Sequence, residues 1–494
     1  MSTASRSACR RILWKSATTD PRHGAWCMSP ISCARGVTSA STFRGVPARW
    51  RVRSAATATA SIGATRPERR LRRVASPLLA WFGPRTLIEA RFTWWPMSPG
   101  ASPFWGGLAT ARLLLRERFG HPAFRVHQLK VLGPLLAGRS VLAVLPTGAG
   151  KSLCFQLPAL MAAGLTLVVS PLISLMQDQV GALRRRGIAA AYLNSLLTRD
   201  QRRLILDRAV AGHLSILYCA PERLAALLRP LSRAGREVAL LAVDEAHCIV
   251  EWGNEFRPVY RRLDRFRYLL GDPVTIALTG SATPATRAEI LRVLRIPQAE
   301  TVLTSFDRPN LAFRVERVRD DRERFARLRD LVGSPEGSSI VYTPTRRLTE
   351  LVTRALLRMG VRAAPYHAGL TAGMRRRVLR SFLSGQAPIV VATSAFGMGI
   401  DKPDVRQVVH WGPPRTLEGY YQEAGRAGRD GRPSECVLVW QRSDWERSDA
   451  AAAVRRYVEA PRCRRGTLLA YFGEPAVACS GCDICGVGAY RPLP

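Results

Sequence analysis

Residues Val141–Ser152 read VLAVLPTGAGKS, an apolar run followed by a glycine loop that ends in a lysine and a hydroxyl side chain. The pattern predicts a short buried strand, a tight turn over Gly148 and Gly150, and a helix that starts near Lys151. Such a loop directs main-chain N–H groups at one point and so forms a phosphate-binding site. There Lys151 would contact the β- and γ-phosphates of a nucleotide, and Ser152 would place its hydroxyl on Mg²⁺.

One position of this loop departs from the general phosphate-loop pattern. Leu145 stands where that pattern has its first glycine. Taken alone, the segment could therefore be a glycine-rich turn in a core beside a solvated lysine. The rest of the chain has to distinguish the two interpretations.

Length and composition set the outer limits. The chain has 494 residues, of which 47% are hydrophobic, so it has room for two or three domains with substantial cores. Its net charge of +37 favours a polyanionic partner, with nucleic acid the leading candidate. The alternative is a GC-rich coding bias, because only four of the 74 basic residues are lysines. No apolar run approaches the roughly 20 residues that span a bilayer, so we expect no membrane partner.

The first 96 residues are rich in arginine and serine and poor in acidic residues. An organelle transit peptide, a disordered nucleic-acid-binding arm and a translation start near Met97 all fit this composition, and we favour the last slightly. We treat residues 1–105 as a leader outside the fold. A cytoplasmic location, at the bacterial nucleoid, is our expectation for the protein.

From about Leu108 the pattern alternates between apolar strands and amphipathic helices. The predicted strands are Val141–Leu145, Thr166–Ser170, Ile216–Cys219, Leu240–Val243 and Thr275–Leu278, then Ser339–Tyr342, Ile389–Ala392, Gln407–Trp411 and Cys436–Trp440. Alternating β and α elements predict parallel sheets covered on both faces, with ligands at the carboxyl ends of the strands. We expect one such domain over residues 106–305 and a second over 306–452, with a break near Pro309.

Asp244 and Glu245 directly follow a predicted buried strand. A strand-end acidic pair alone is more often a helix cap or a solvated turn. Downstream of a phosphate loop, it supplies what ATP hydrolysis requires. Asp244 would hold Mg²⁺ through its coordination shell, and Glu245 would orient and deprotonate the attacking water.

A basic motif lies in the second predicted domain, where residues 420–431 read YYQEAGRAGRDG. Arg426 and Arg429 are three residues apart, on one side of a helical turn. Two arginines that face a cleft can stabilise the charge on a transferring phosphoryl group, which is the arginine-finger role. A solvated basic turn is the alternative, but the three glycines of the motif indicate a constrained backbone.

Four of the eleven cysteines cluster near the end of the chain. They are Cys463, Cys479, Cys482 and Cys485. Two successive CxxC steps and one distant cysteine provide four thiolates, the number that tetrahedral zinc needs. Disulfides are the alternative, but a nucleotide-driven protein belongs in a reducing compartment, where thiols bind metal. We therefore predict a zinc-binding module over residues 453–494.

In this order, the motifs resemble those of the RecQ family of DNA helicases, within helicase superfamily two, over roughly residues 110 to 490. The most specific motif is AHCIVEWGNEFR at 246–257, which resembles the loop by which the family couples DNA to ATP hydrolysis. Trp252 and Phe256 offer faces for base stacking, and Arg257 adds a cation beside them. The resemblance assigns these three residues and His247 to DNA binding.

The resemblance also implies two tandem RecA-like domains and a composite nucleotide site. Its implied nucleotide-binding residues are Arg125, Gln128, Thr147, Gly148, Gly150, Lys151, Ser152 and Gln422. Arg125 and Gln128 match the adenine-reading positions, and His121 stands where the family has a tyrosine. Arg429 matches the arginine finger, with Arg426 beside it. The cofactors expected are ATP, Mg²⁺ at Ser152 and Asp244, and Zn²⁺.

The leading hypothesis is an ATP-dependent DNA helicase that acts on single-stranded and forked DNA in repair or recombination. Its 3′ to 5′ polarity is implied by the resemblance only. Two alternatives stay open: a DNA-stimulated ATPase that translocates or anneals strands but unwinds poorly, and a non-catalytic DNA-binding scaffold. Only nine residues follow Cys485, so we expect a short form without the winged-helix and terminal helical domains of longer relatives.

Overall fold

The computed structural model describes residues 102–486 except 147, 252–256, 333–336, 398–399, 401 and 448–449. Three predicted site residues, Thr147, Trp252 and Phe256, lie outside the described residues, as do residues 1–101 of the predicted leader. The statements that follow concern the described part of the chain.

The first part of the chain alternates strands and helices, as the sequence pattern predicts. Its strands are β1 Val141–Val144, β2 Leu165–Val169, β3 Ala190–Leu193, β4 Ile216–Cys219, β5 Val238–Val243, β6 Val274–Thr279 and β7 Glu300–Leu303. Its helices are α1 Gly107–Phe119, α2 Val126–Leu136, α3 Leu153–Gln156, α4 Ile173–Arg185, α5 Arg199–Val210, α6 Leu224–Arg233, α7 Cys248–Glu251, α8 Leu263–Leu269 and α9 Pro284–Leu294.

These strands form one parallel sheet in the order β3-β4-β2-β5-β6-β1-β7. Helices cover both faces, so the central strands are buried on both sides. In β1 the alternation is visible residue by residue. Val141 and Ala143 face one apolar core, and Leu142 and Val144 face the other. The site residues after β1, β5 and β6 therefore leave one edge of a rigid sheet.

The second part of the chain repeats the arrangement. Its strands are β8 Leu311–Arg317, β9 Ser338–Tyr342, β10 Ala363–Tyr366, β11 Ile389–Ala392, β12 Val405–Trp411 and β13 Ser434–Trp440. Its helices are α10 Asp321–Val332, α11 Arg346–Arg358, α12 Ala372–Leu383, α13 Leu417–Ala424 and α14 Asp444–Arg447. The parallel sheet has the order β10-β11-β9-β12-β13-β8. The predicted α/β class with two parallel sheets is confirmed.

Threonine hydroxyls start several of these helices. Thr283, Thr345, Thr371 and Thr416 each accept a hydrogen bond from a main-chain N–H in the first turn of α9, α11, α12 and α13. Because the first N–H groups of a helix have no partner within the helix, such a cap stabilises its start by about 1 kcal/mol. The cap at Thr416 fixes where α13 begins, and α13 leads into the predicted arginine motif.

Two details add to the sequence-based predictions. The helix after the phosphate loop begins at Leu153, two residues after Lys151, because Lys151 and Ser152 still form a turn. The described residues of the predicted leader contact the first domain. Phe104 is buried and pairs with Ala162, and the Ser102 hydroxyl donates to the Leu136 carbonyl oxygen at 2.7 Å, so residues 102–105 pack on the first sheet.

Residues 304–310, called the linker below, join the two sheets. After the second sheet come α15 Ala452–Glu459 and α16 Arg464–Tyr471, followed by the cysteine-rich segment. Phe313 of β8 pairs with Cys482, so this last module lies against the edge of the second sheet. Among the described residues, no helix has both the length and the apolar character of a membrane span.

Candidate active site

The phosphate loop leaves β1 and turns through two glycines with left-handed backbone angles, Gly148 at φ 84° and Gly150 at φ 79°. Residues with a side chain rarely adopt such angles, which explains the glycines. Lys151 Nζ donates to the Leu145 carbonyl oxygen at 3.1 Å and to the Pro146 carbonyl oxygen at 3.4 Å. The ammonium is therefore folded back over its own loop, where it is available to a phosphate that replaces these two acceptors.

The predicted adenine-reading residues also contact this loop. The Arg125 guanidinium donates to the Gly148 carbonyl oxygen at 2.6 Å. Gln128 is buried, its Oε1 accepts from the Arg125 main-chain N–H at 2.9 Å, and its Nε2 donates to the Gly150 carbonyl oxygen at 3.4 Å. His127, which the sequence did not single out, lies 2.8 Å from the Ala149 carbonyl oxygen. These hydrogen bonds connect the start of α2 to the phosphate loop.

Asp244 and Glu245 stand at the end of β5, beside the phosphate loop. Asp244 is 6% exposed. Burial, reinforced by the neighbouring Glu245 carboxylate, raises the pKa of Asp244 to about 7, and the Lys151 ammonium opposes the shift. Glu245 has a left-handed φ of 49°, a strained conformation for a residue with a side chain. A buried carboxylate that is costly to ionise fits a divalent cation, whose charge would offset the lost hydration.

His247 is buried in a hydrogen-bonded network behind this pair. Its Nδ1 lies 3.0 Å from Thr279 Oγ1 and 3.5 Å from Glu245 Oε2. Thr279 Oγ1 in turn donates to the Ser281 carbonyl oxygen at 2.9 Å and accepts from the Ser281 N–H at 3.2 Å. His247 is 2% exposed, so it offers no surface to DNA. The imidazole joins the segment after β5 to the end of β6, and the DNA-binding role of His247 stays a prediction.

Gln422 of α13 crosses from the second sheet domain to this network. Its Nε2 donates to Ser281 Oγ at 2.6 Å and lies 3.3 Å from His247 Nε2. Gln422 was predicted to bind the nucleotide, and this stays a prediction; its amide contacts residues next to the Asp244–Glu245 pair.

The arginine turn, residues 425–431, directly follows α13. Arg426 is buried, and its guanidinium donates to the Gly397 carbonyl oxygen within the second domain. Arg429 is partly buried in the same turn. Since Gln422 of α13 already contacts the first domain, the turn begins three residues from a contact between the two domains. The contact with the first domain is therefore made by Gln422, and the described contact of Arg426 lies within the second domain.

Arg257 follows the segment predicted to sense DNA. Its NH1 donates to the Pro171 carbonyl oxygen at 2.8 Å, and its Nε lies 3.4 Å from Glu222 Oε1. Pro171 and Glu222 belong to two segments, Ser170–Gln179 and Cys219–Arg223, that lie at the ends of β2 and β4. Arg257 thus connects the end of the predicted DNA-sensing loop to both segments.

The four clustered cysteines bring their sulfur atoms within 4.8 Å of one another. Main-chain N–H groups point at two of them: that of Gly466 donates to Cys463 Sγ and that of Cys485 to Cys482 Sγ, both at 3.4 Å. Burial acts to raise the pKa of Cys482, but hydrogen bonds from main-chain N–H groups outweigh it and lower this pKa to about 7. Four converging thiols of this kind fit a tetrahedral Zn²⁺ ion.

Comparison with known families gives three matches along the chain. Residues 125–291 match the family described as DEAD/DEAH box helicase, 323–431 match the helicase conserved C-terminal domain, and 441–486 match the RecQ zinc-binding family. A relative from Bacillus subtilis named ATP-dependent DNA helicase RecQ is 40% identical over 399 residues, which cover 76% of this chain and 67% of that protein.

The chain belongs to the RecQ helicase family. A relative of the same name from Haemophilus influenzae is 40% identical over 396 residues, covering 76% of this chain and 63% of that protein. This RecQ-family chain therefore spans less than two thirds of that relative's length. The structure of the Mycobacterium smegmatis helicase Lhr bound to ssDNA and AMP-PNP is similar with a TM-score of 0.56 and 26% identity, covering 73% of this chain and 50% of that one. Both sheets thus belong to RecA-like domains, followed by the RecQ zinc-binding module.

The linker of this RecQ-family chain contacts elements that flank the candidate site, which the motif patterns did not reveal. Phe306 stacks on Phe472 of the zinc module with ring centroids 4.3 Å apart, and its carbonyl oxygen accepts from the Tyr421 hydroxyl at 2.7 Å. Arg308 binds the arginine turn, as described below. The sequence showed this segment as a domain junction, but it carried no signal that the junction contacts the site.

Proposed function

We propose that this chain is an ATP-dependent DNA helicase that couples ATP hydrolysis to 3′ to 5′ movement along single-stranded DNA and to duplex unwinding in DNA repair or recombination. One observation carries the proposal. Gln422 of the second domain hydrogen-bonds to Ser281 and approaches His247 of the first, directly behind the Asp244–Glu245 pair. A nucleotide site that depends on two domains can convert hydrolysis into relative domain motion.

The proposed chemistry divides between the two domains. Lys151 of the phosphate loop would bind the β- and γ-phosphates, and Glu245 would accept the proton of the attacking water. Ser152 and Asp244 would hold Mg²⁺, which when bound neutralises charge on the phosphates. Arg429, with Arg426 beside it, would approach from the second domain and stabilise the transferring phosphoryl group. Adenine contacts would come from Arg125 and Gln128 after their bonds to the loop open.

The DNA side of the proposal rests on the segments that Arg257 connects. Main-chain and hydroxyl groups of 170–179 and 219–223 would contact phosphates, and bases would stack on the side chains predicted at Trp252 and Phe256. The two relatives compared above are named DNA helicases, which supports DNA as the substrate. Single-stranded and forked DNA are the forms that we propose.

Unwinding assays test this proposal. The full chain is incubated with ATP and Mg²⁺ and with duplexes that carry a 3′ tail, a 5′ tail or a fork, beside the Lys151→Ala variant. We expect wild-type protein to open the 3′-tailed and forked duplexes and the variant to open none. Opening of the 5′-tailed duplex only would contradict the polarity. DNA-stimulated ATP turnover without any opening would instead support the alternative of an ATPase that translocates or anneals strands.

The predicted DNA-sensing loop has its own test. Trp252→Ala should keep ATP turnover in the absence of DNA and lose its stimulation by single-stranded DNA, because the base-stacking face is gone. Turnover that rises with DNA as in wild-type protein would show that the loop does not sense DNA.

A further inference from the structure

Arg308 of the linker makes three hydrogen bonds to the main chain of the arginine turn. Its NH1 donates to the Gly425 carbonyl oxygen at 3.2 Å, and its NH2 donates to those of Ala427 and Gly428, each at 3.0 Å. All three donor groups belong to Arg308, which lies in the linker and not in the second sheet. The segment between the two domains therefore holds the turn that carries the candidate finger arginines.

Arg308 binds the main chain just beyond the end of α13. The last carbonyl groups of a helix have no N–H donor within the helix. A basic side chain nearby can donate to such groups and balances the partial negative charge at the helix end. The last turn of α13, which the structure describes completely, has no basic residue. The carbonyl oxygens of Tyr421, Glu423 and Ala424 already accept from main-chain N–H groups. Arg308 adds a cation just beyond them, at the carbonyl oxygens of Gly425, Ala427 and Gly428. Its planar fork can reach several oxygens at fixed angles, which a lysine ammonium does not reproduce.

The turn lies directly against the linker. Asn310 Nδ2 donates to the Gly428 carbonyl oxygen at 2.8 Å and to that of Arg432 at 3.0 Å. Gly428 has a left-handed φ of 55°, and a Cβ placed on it would lie 2.3 Å from Asn310 Nδ2. A side chain at position 428 would clash with Asn310, so the close approach of the turn to the linker requires a glycine there.

The zinc module holds the linker on its other side. The buried Arg465 guanidinium donates to the Asp307 carboxylate and, at 2.6 Å, to the Leu311 carbonyl oxygen. The Ser480 hydroxyl donates to the Pro309 carbonyl oxygen at 2.8 Å. Asp307 and Pro309, the two neighbours of Arg308, are thus hydrogen-bonded to the zinc module. These bonds hold the main chain of Arg308 in place while its guanidinium binds the turn.

We propose that Arg308 is a positioning residue for ATP hydrolysis. It fixes the main chain from which Arg426 and Arg429 project, and so determines whether their guanidinium groups reach the transferring phosphoryl group. This inference rests on the proposed function. Since nucleotide binding depends on the phosphate loop of the first domain, loss of Arg308 should act on the hydrolytic step and not on nucleotide affinity.

The test compares full-length wild-type protein with Arg308→Gln, Arg308→Lys and a matched control, Arg314→Gln. Arg314 is a partly buried arginine of β8 that pairs with Glu316 and Glu435 and does not contact the arginine turn. Three quantities are measured: kcat for ATP at saturating single-stranded DNA, the Kd of a fluorescent ATP analogue, and the melting temperature.

We expect kcat of Arg308→Gln to fall about 10- to 100-fold, because small displacements of a catalytic group have effects of this size. Its nucleotide Kd should stay within about threefold of wild type. The kcat of Arg308→Lys should fall less than that of Arg308→Gln but stay below wild type. Arg314→Gln should have wild-type kcat and a melting temperature similar to that of Arg308→Gln. The Lys variant preserves the test if the Gln variant does not fold.

Two results would overturn the inference in different ways. If wild-type protein hydrolyses ATP and both Arg308 variants keep its kcat, the positioning role alone is refuted. The same holds if Arg314→Gln loses as much kcat as the Arg308 variants. Wild-type protein that does not hydrolyse ATP with any DNA would refute the proposed function, and the inference would fall with it.

Discussion

Gln422→Ala is expected to slow DNA-stimulated ATP turnover by about 10- to 30-fold without lowering the melting temperature much. The change removes the amide that donates to Ser281 Oγ at 2.6 Å and lies 3.3 Å from His247 Nε2. A neutral hydrogen bond contributes about 1 kcal/mol, so the two contacts together favour this domain arrangement by up to about 2 kcal/mol. Because about 1.4 kcal/mol corresponds to a factor of ten, the loss should be 10- to 30-fold when domain closure limits the rate.

The assay is steady-state ATP hydrolysis at saturating ATP and single-stranded DNA. Gln407→Ala is the control, because Gln407 is likewise a glutamine of the second domain but donates to Glu435 within that domain at 3.3 Å. Gln407 is buried and Gln422 is partly buried. Ser281→Ala and the double variant complete a cycle, in which residues in contact should couple by about 1 kcal/mol. If Gln422→Ala keeps the turnover of Gln407→Ala, or if the effects of Gln422→Ala and Ser281→Ala simply add, the contact between the domains does not serve hydrolysis.

The remaining predictions concern the phosphate loop, the buried carboxylate and the cysteines. Lys151→Ala should abolish DNA-stimulated ATP turnover yet retain binding to labelled single-stranded DNA, and undiminished turnover would remove the loop from the site. The folded pKa of Asp244, about 7 against an ordinary 3.8, means that its ionisation costs stability as pH rises through this window. Asp244→Asn should therefore raise the melting temperature of nucleotide-free protein more at pH 8 than at pH 5, and an equal gain at both would contradict that. Purified protein should contain about one zinc ion per chain and Cys482→Ser far less, with a lower melting temperature; folded wild-type protein without metal would refute the zinc site.

The sequence pattern located the central strands of both sheets and missed four others. The missed strands are β3, β7, β10 and β8, and each is an edge strand of its sheet. An edge strand has one neighbour and an open side, so it need not be a continuous run of large apolar residues. β7 and β8 carry charged residues, and β3 and β10 each begin with two alanines, which give a weak apolar signal. In β7, for example, three of four residues are exposed. Central strands are buried on both faces, so they are continuous apolar runs that can be recognised in the sequence.

The candidate site divides in a similar way. Lys151, Asp244 and the four cysteines lie in contiguous motifs whose spacing reflects their chemistry, so the sequence alone could locate them. Contacts between distant segments left no such trace. Gln422 and His247 are 175 positions apart, and the bonds from Arg308 to the arginine turn span 117 to 120 positions. Their geometry depends on how the two domains pack, which no local pattern encodes.

The central claim is that the hydrolytic site is completed by the second domain. ATP turnover measured with increasing single-stranded DNA, for wild-type protein beside Arg429→Ala, tests it most directly. We predict strong stimulation of the wild-type protein by DNA and a loss of about a thousandfold or more in the variant, the size of effect known for arginine fingers. An Arg429→Ala variant that hydrolyses ATP at the wild-type rate with DNA would show that the first domain is sufficient, and would contradict the claim.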